Sequence, residues 1–184
     1  MNLAYVTCDV FTNQAFGGNQ LAVVFDADDL TTEQMQKIAS EFNYSETTFV
    51  TAPKDARNTA GVRIFTPSEE LPFAGHPNVG TAVALARSGR VEDNEAFIFE
   101  EIAGLVPMEL IKDGDAVIGA TLTSPEIPPV GDHADVGLVA KTLGVDVKAI
   151  VCDNHKPVHM QTGLHFLMVE VASLQDLAEA KSPP

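Results

Sequence analysis

The stretch Leu71-Pro-Phe-Ala-Gly-His-Pro-Asn-Val-Gly-Thr-Ala-Val-Ala-Leu-Ala-Arg87 limits the possible folds more than any other part of the chain. Pro77 suits the first turn of a helix, where its missing N–H leaves no hydrogen bond unmade. From Val79 to Ala86 the side chains are apolar or small on nearly every side. A helix without a polar face has to be buried all round. Gly80 and Ala84 leave room for neighbouring strands to come close. The chain must therefore supply several strands to surround this helix, which predicts a mixed α+β fold.

Strand-like segments are available on both sides of it. Leu3–Phe11 is rich in Val, Phe and Tyr and alternates in part; Leu21–Phe25, Thr47–Ala52 and Gly61–Thr66 follow as further strands. Between them, Thr31 or Thr32 can cap a helix reaching Phe42, with Met35, Ile38, Ala39 and Phe42 at helical spacing. Residues 96–124 pattern as a strand meander, with Asp113-Gly114 as its hairpin turn. Ser124-Pro-Glu-Ile-Pro-Pro-Val130 is stiffened by three prolines and is expected to be a linker. Beyond it, Asp135–Gly144 and Ser173–Lys181 are expected helices, and Val147–Val151 and Phe166–Val171 expected strands. The predicted organisation is a domain over residues 1–124, then a linker and an incomplete second domain over 125–184. The segment 132–184 has few strands and buries little apolar surface by itself, so it is expected to need a partner surface.

Charge narrows the function classes. Twenty-six acidic residues against 11 basic ones give a net charge of −15. Nucleic-acid binding needs clustered lysine and arginine, so it is not expected. No apolar run approaches the roughly 20 residues a membrane helix requires. The start MNLAYVTCDVF lacks a signal-peptide pattern. Cys8 and Cys152 form no C-x-x-C pattern and are expected as buried, reduced thiols, with the cytoplasm as the expected compartment.

Two places carry candidate chemistry. Glu46, in Asn43-Tyr-Ser-Glu-Thr-Thr-Phe49, falls at a helix-to-strand junction among hydroxyls and aromatics. Partial dehydration there would raise its pKa toward neutrality and suit it to carry protons; the same residue is also compatible with a turn cap or a surface pair. Gly75-His76 opens the buried helix, whose free N–H groups and dipole favour an anion such as a substrate carboxylate. A histidine that simply caps the helix fits this position equally. His155, His159 and His165 flank a strand, where their spacing does not bring ligands to one face, and no metal is expected. Gly17-Gly18-Asn19 lacks the nucleotide-binding glycine patterns. No G-x-S-x-G elbow supports a hydrolase.

Three segments, taken in order, resemble the phenazine-biosynthesis PhzF-type isomerases, a branch of the diaminopimelate epimerase-like superfold. They are Asp9-Val-Phe-Thr through Phe16-Gly-Gly-Asn19, Asn43-Tyr-Ser-Glu-Thr-Thr-Phe-Val50, and Phe65-Thr-Pro through Glu70-Leu-Pro-Phe-Ala-Gly-His-Pro-Asn-Val-Gly-Thr-Ala82. The stretch from Gln161 to Ala178 is similar to the family's entry into a second domain. The resemblance implies two similar domains, each a barrel-like sheet around a central helix, with the active site between them. It places the proton-shuttling glutamate at Glu46 and substrate-binding residues at Gly75, His76 and Asn19, with a small carboxylate substrate and no cofactor. Related racemases use two opposed thiols. Here Gly75 precedes His76, and neither cysteine lies in a helix-start motif, so two-thiol chemistry is not implied.

The resemblance also implies what this sequence does not contain. Members continue into an Asp-Pro…Gly-Ser-Ala segment that opens a second central helix, and nothing similar follows Gln161. Gln20 is a smaller departure, standing where the family often has proline. The expectations are therefore an isomerase, with a homodimer or a complementing second polypeptide as its partner, or, alternatively, a truncated, non-catalytic family member acting as a binding or vestigial module.

Overall fold

The structure is a computed structural model that describes residues 2–91, 97–162 and 164–181. Two compact units divide the chain, Met1–Glu126 and Ile127–Pro184.

The first unit is one curled sheet with a helix on each face. Its strands are β1 (Tyr5–Val10), β2 (Asn19–Val24), β3 (Glu46–Thr51), β4 (Ala60–Phe65), β5 (Glu70–Leu71), β6 (Phe97–Glu101), β7 (Gly104–Asp113) and β8 (Ala116–Leu122). They lie in the order β1-β2-β3-β4-β6-β7-β8, with β5 alongside β4. The expected start of the meander at Ala96 lies outside the described residues. Neighbours are antiparallel except β2/β3 and β4/β6. Parallel neighbours need a crossover, and each of these pairs has a helix to make it. Helix α1 (Thr32–Phe42) links β2 to β3, and α2 (Gly75–Arg87) lies between β4 and β6.

Side-chain alternation along the strands gives the two helices separate cores. In β2, Leu21 and Val23 face α2 while Val24 faces α1; in β3, Val50 faces α2 while Phe49 faces α1. Helix α1 starts at a capping box, in which Thr31 accepts from the Gln34 N–H and Gln34 reaches back to the Thr31 N–H. It ends at Asn43, whose left-handed backbone (φ 53°) stops the helix just ahead of β3. Met35 and Ala39 pack on Phe49 and Phe65, whose rings meet edge to face with their centroids 5.4 Å apart.

Helix α2 packs against β1, β2 and β3 at one end of the sheet and against β7 and β8 at the other. A sheet whose two end strands touch one helix must curl around it. Gly80 permits the closest approach: a Cβ there would stand 2.5 Å from Leu21 Cδ2 and 2.8 Å from Val10 Cγ2. Arg87 fastens the other end, donating from Nε and Nη2 to the Val117 carbonyl of β8. The burial expected all round α2 is incomplete, because β1 and β8 do not pair and the barrel stays open. Val79, Val83 and Ala84 are half-buried and line a cavity of about 500 Å³ at this opening.

The second unit contains β9 (Val130–His133), α3 (Val136–Leu143), a 3-10 turn (Val147–Ala149), β10 (Ile150–Val151), β11 (Val158–Thr162), β12 (Leu164–Met168), β13 (Glu170–Val171) and α4 (Leu174–Glu179). Strands β12-β11-β9 form one antiparallel sheet, and β10 pairs with β13. Part of the strand expected at Val147–Val151 is instead a 3-10 turn, because the Asp146 side chain accepts from the Lys148 N–H and turns the backbone. The fully buried apolar cluster is small, Val139, Ala140 and Ile150, with Ala134, Val136, Leu143, Val145, Val169 and Val171 partly buried around it. Cys8 is half-buried and Cys152 exposed, both free, against the expectation that both would be buried. Cys152 directly follows the two-residue β10, which is too short to cover it. Among the described residues no helix is long and apolar enough to cross a membrane.

Candidate functional site

Three segments that are distant in sequence meet at one end of α2. Strands β2 and β3 run parallel with Leu21 opposite Glu46, so Asn19 and Glu46 open neighbouring strands at the same edge of the sheet. Glu46 and Thr48 lie two residues apart and share a face. Thr48 is fully buried and its hydroxyl lies 2.8 Å from that of Thr81 on α2. That contact sets the height of β3 against the helix and brings Glu46 level with the helix start. There Glu46 Oε2 lies 3.1 Å from His76 Nε2.

The other side of the imidazole is held as well. Asn19 Nδ2 is 3.1 Å from His76 Nδ1, and Asn19 Oδ1 accepts a 2.7 Å hydrogen bond from the Ser45 hydroxyl. With Oδ1 engaged by Ser45, the amide nitrogen is the atom turned to the ring. Nδ1 then accepts, and Nε2 carries the proton toward Glu46.

The Glu46–His76 contact has the distance of an ion pair but not the behaviour of one. Burial raises the Glu46 carboxyl above its usual value and lowers the His76 imidazole, the latter partly opposed by a backbone hydrogen bond with Gln20. An ion pair would shift both groups the other way. Although only 3.1 Å apart, Oε2 and Nε2 are not aligned for a hydrogen bond, and both are buried without a directed partner. The titration directions and the misalignment agree, and together they favour a neutral His76 beside a carboxyl of raised proton affinity. Such a carboxyl exchanges protons nearer neutral pH than a free one does.

The start of α2 is open. The N-cap residue, Ala74, offers no side-chain cap. Gly75 is exposed, and a Cβ added there would meet nothing within 4 Å. A helix start without a side-chain cap, at an exposed glycine, is a setting that favours an anion. The structure thus brings together Asn19, Glu46 and His76, with Gly75 next to His76. Ser45, Thr48 and Thr81 are the supporting residues that the sequence did not single out. Ser45 adjoins the glutamate motif, but its bond to Asn19 depends on strand register. The cavity between β1 and β8 lies along the flank of α2 and includes neither Glu46 nor His76. Among the described residues no group of three or more histidine, cysteine, aspartate or glutamate side chains is arranged to hold a metal ion.

Comparison with known proteins places this arrangement. The chain is 41% identical over 162 residues to the trans-2,3-dihydro-3-hydroxyanthranilate isomerase of Pseudomonas chlororaphis, covering 87% of this chain and 56% of that protein. It thus spans little more than half the length of that curated relative. The crystal structure of a PhzF-family phenazine biosynthesis protein from Bacillus anthracis superposes with a TM-score of 0.82 at 29% identity, covering 99% of this chain and 60% of that one. A probable proline racemase from Agrobacterium radiobacter shares the fold alone, with a TM-score of 0.58 at 14% identity, over 91% of this chain and 52% of that one. The fold is accordingly the diaminopimelate epimerase-like one that proline racemases share. Residues 8–183 match the family described as PhzC-PhzF, phenazine biosynthesis-like protein, and the chain belongs to that family.

Proposed function

We propose that this chain carries the proton-transferring half of an isomerase that moves a proton on a small carboxylic acid by acid/base chemistry, with no cofactor. The supporting observation is the Glu46 carboxyl set 3.1 Å from a buried His76 whose pKa burial lowers, with neither atom satisfied by a directed hydrogen bond. In this reading the Glu46 carboxylate takes a proton from a substrate carbon, becoming the neutral acid, and the substrate keeps the electron pair as a delocalised anion. Glu46 then returns the proton to a different carbon, restoring its own charge. Burial has already raised its proton affinity, which suits it to both halves of the cycle. The substrate carboxylate lies against the uncapped start of α2 at Gly75. His76, oriented by Asn19, donates from Nε2 and does not change charge.

The relative's substrate, trans-2,3-dihydro-3-hydroxyanthranilate, is the first compound to test. The chain is incubated with it in D2O, alone and together with any polypeptide that completes the site, and the substrate and product are examined by mass spectrometry. Deuterium incorporation that falls at least about 100-fold in Glu46→Gln supports the assignment, a loss in the range general acid/base catalysis supplies. Unchanged incorporation in that variant removes Glu46 from the mechanism. Binding without any exchange favours the non-catalytic reading instead.

A further inference from the structure

A second buried carboxyl stands near the start of α2, apart from the Glu46–His76 contact. Glu101 ends β6, and the turn after it is tied to the approach to the helix, because the Ala103 N–H donates to the Pro72 carbonyl. Both carboxyl oxygens of Glu101 are buried and lack a hydrogen-bond partner. The group facing it is Asn78, in the first turns of α2 and fully buried. Asn78 Nδ2 donates to the Ala74 carbonyl, while Asn78 Oδ1 is itself buried without a partner.

These atoms form a donor deficit. Glu101 Oε1 and Oε2 and Asn78 Oδ1 are all acceptors when the carboxyl is ionised. One proton on Glu101 resolves it. The carboxylic acid can donate to Asn78 Oδ1, and its other oxygen can accept from the second hydrogen of Asn78 Nδ2. Among the described residues no charged neighbour offers another route. Arg63 of β4 is held by Glu70 and Thr32. Glu100 turns away to accept from Lys54, Asp55 and Asn58. Arg87 of α2 is held at Val117, at the far end of the helix. In β7, Glu109, Lys112 and Asp113 lie beyond Met108, toward the hairpin end. Among the described residues none of these contributes to the titration of Glu101, which burial raises to about 8, opposed in part by the nearby Asn78 amide.

We propose that Glu101 is protonated in the folded chain and acts, through Asn78, as a positioning residue for the Ala74–His76 segment that presents His76. The links run from the Glu101 hydroxyl to the Asn78 amide, from that amide to the Ala74 carbonyl, and from Ala74 through Gly75 to the imidazole. Ionisation of Glu101 would remove the donor and place an unpaired charge against the amide, loosening the turn that carries His76. The proposal rests on reading His76 as a site residue, but its test needs no turnover.

The test is NMR of the full chain, following the Glu101 side-chain carboxyl carbon and the His76 ring nitrogens from pH 6 to 10. The Glu101 carbon should resemble a protonated acid at pH 6.5 and titrate near 8, and the His76 ring signals should move with the same midpoint. In Glu101→Gln, whose amide still donates to Asn78 Oδ1, the His76 signals should keep their wild-type neutral-pH positions and lose the movement near pH 8. In Glu101→Leu, which supplies no donor, they should be displaced at every pH. A Glu101 carbon that titrates in the ordinary carboxylate range overturns the proposal, whether or not the variants fold. So do His76 signals that ignore the Glu101 transition in the wild-type chain. Failure of the isomerase reading would show in the deuterium experiment and leave these signals unchanged.

Discussion

The bond between Thr48 and Thr81 fixes β3 on α2, so a double-mutant cycle on it tests whether the site geometry has been understood. Both residues are fully buried, and their hydroxyl oxygens are 2.8 Å apart. Their neighbourhoods differ. Thr48 has a second, long contact of 3.5 Å to the Ala22 carbonyl, whereas among the described residues the Thr81 hydroxyl has Thr48 as its partner. Valine replaces threonine at nearly constant shape, so each change chiefly removes a hydroxyl. Thr48→Val strands the Thr81 hydroxyl, and leaving a buried polar group unpaired costs about 2 kcal/mol. Thr81→Val leaves Thr48 its bond to Ala22, and about 1 kcal/mol is expected, the net worth of one hydrogen bond. With both hydroxyls gone nothing is stranded, and the double variant should lose about 1 kcal/mol or less.

The three values give a coupling of roughly 2 kcal/mol, well above the additivity error of distant sites. Urea unfolding of the four chains, with slopes checked for equality, measures it. Additivity within 0.5 kcal/mol would refute the pairing. A larger cost for Thr81→Val than for Thr48→Val would refute the role given to Ala22. The double variant carries a functional reading as well. Glu46 lies two residues up the same face of β3, so a retained Glu46–His76 contact would show that backbone register alone holds it.

Gly80→Ala should destabilise, because the new Cβ would lie 2.5 Å from Leu21 Cδ2 and Leu21 has no exposed surface through which to yield. Overpacking of about 1–3 kcal/mol should exceed the roughly 1 kcal/mol gained in helix propensity, and a raised melting temperature would contradict this. Stability should also fall as pH rises from 6.5 to 8. Glu101, raised from the usual 4.5 to about 8 by burial, keeps in the folded state a proton that the unfolded chain has already released. Its contribution is fully present below 4.5 and is lost as pH rises to about 8. Burial raises Glu46 in the same sense. The lowered His76 acts oppositely, but only below its usual 6.5. A loss of roughly 2 kcal/mol across this window, flattened in Glu101→Gln, is expected from urea midpoints, and a midpoint that rises throughout would refute it.

What was legible in the sequence was what local chemistry encodes. Thr31 ahead of a helical run and the apolar band from Val79 to Ala86 each announce an element without reference to the rest of the chain. The opening between β1 and β8 is not local. It depends on how far the sheet curls, and so the half-exposure of Val79, Val83 and Ala84 carried no sequence signal. The same division holds at the site. Glu46 and His76 lie in distinctive motifs, whereas Glu101 follows another glutamate in an ordinary strand end. Glu100 and Glu101 point to opposite sides of β6: the first caps an exposed loop, and the second is buried against Asn78. Only the strand register separates their roles, and adjacent identical residues cannot reveal it.

The distribution of unsatisfied atoms offers an independent reason to place function at the start of α2. Six buried side-chain oxygen or nitrogen atoms lack partners among the described residues: Glu46 Oε2, Thr47 Oγ1, His76 Nε2, Asn78 Oδ1 and both Glu101 oxygens. Five of the six belong to the first turn of α2 or to the carboxyls facing it. Each such atom costs on the order of 1–3 kcal/mol if left unmet, a large share of the stability of a domain this size. A core arranged for stability alone would scatter or remove these atoms. Their concentration where the helix is uncapped and Gly75 leaves open space is better explained by hydrogen bonds completed elsewhere. A proton on Glu101 completes one set, and a bound carboxylic acid would complete the other. The two carboxyls thus divide the work, since both oxygens of Glu101 are buried and it holds its proton, while Glu46 has only Oε2 buried without a partner and can exchange its own.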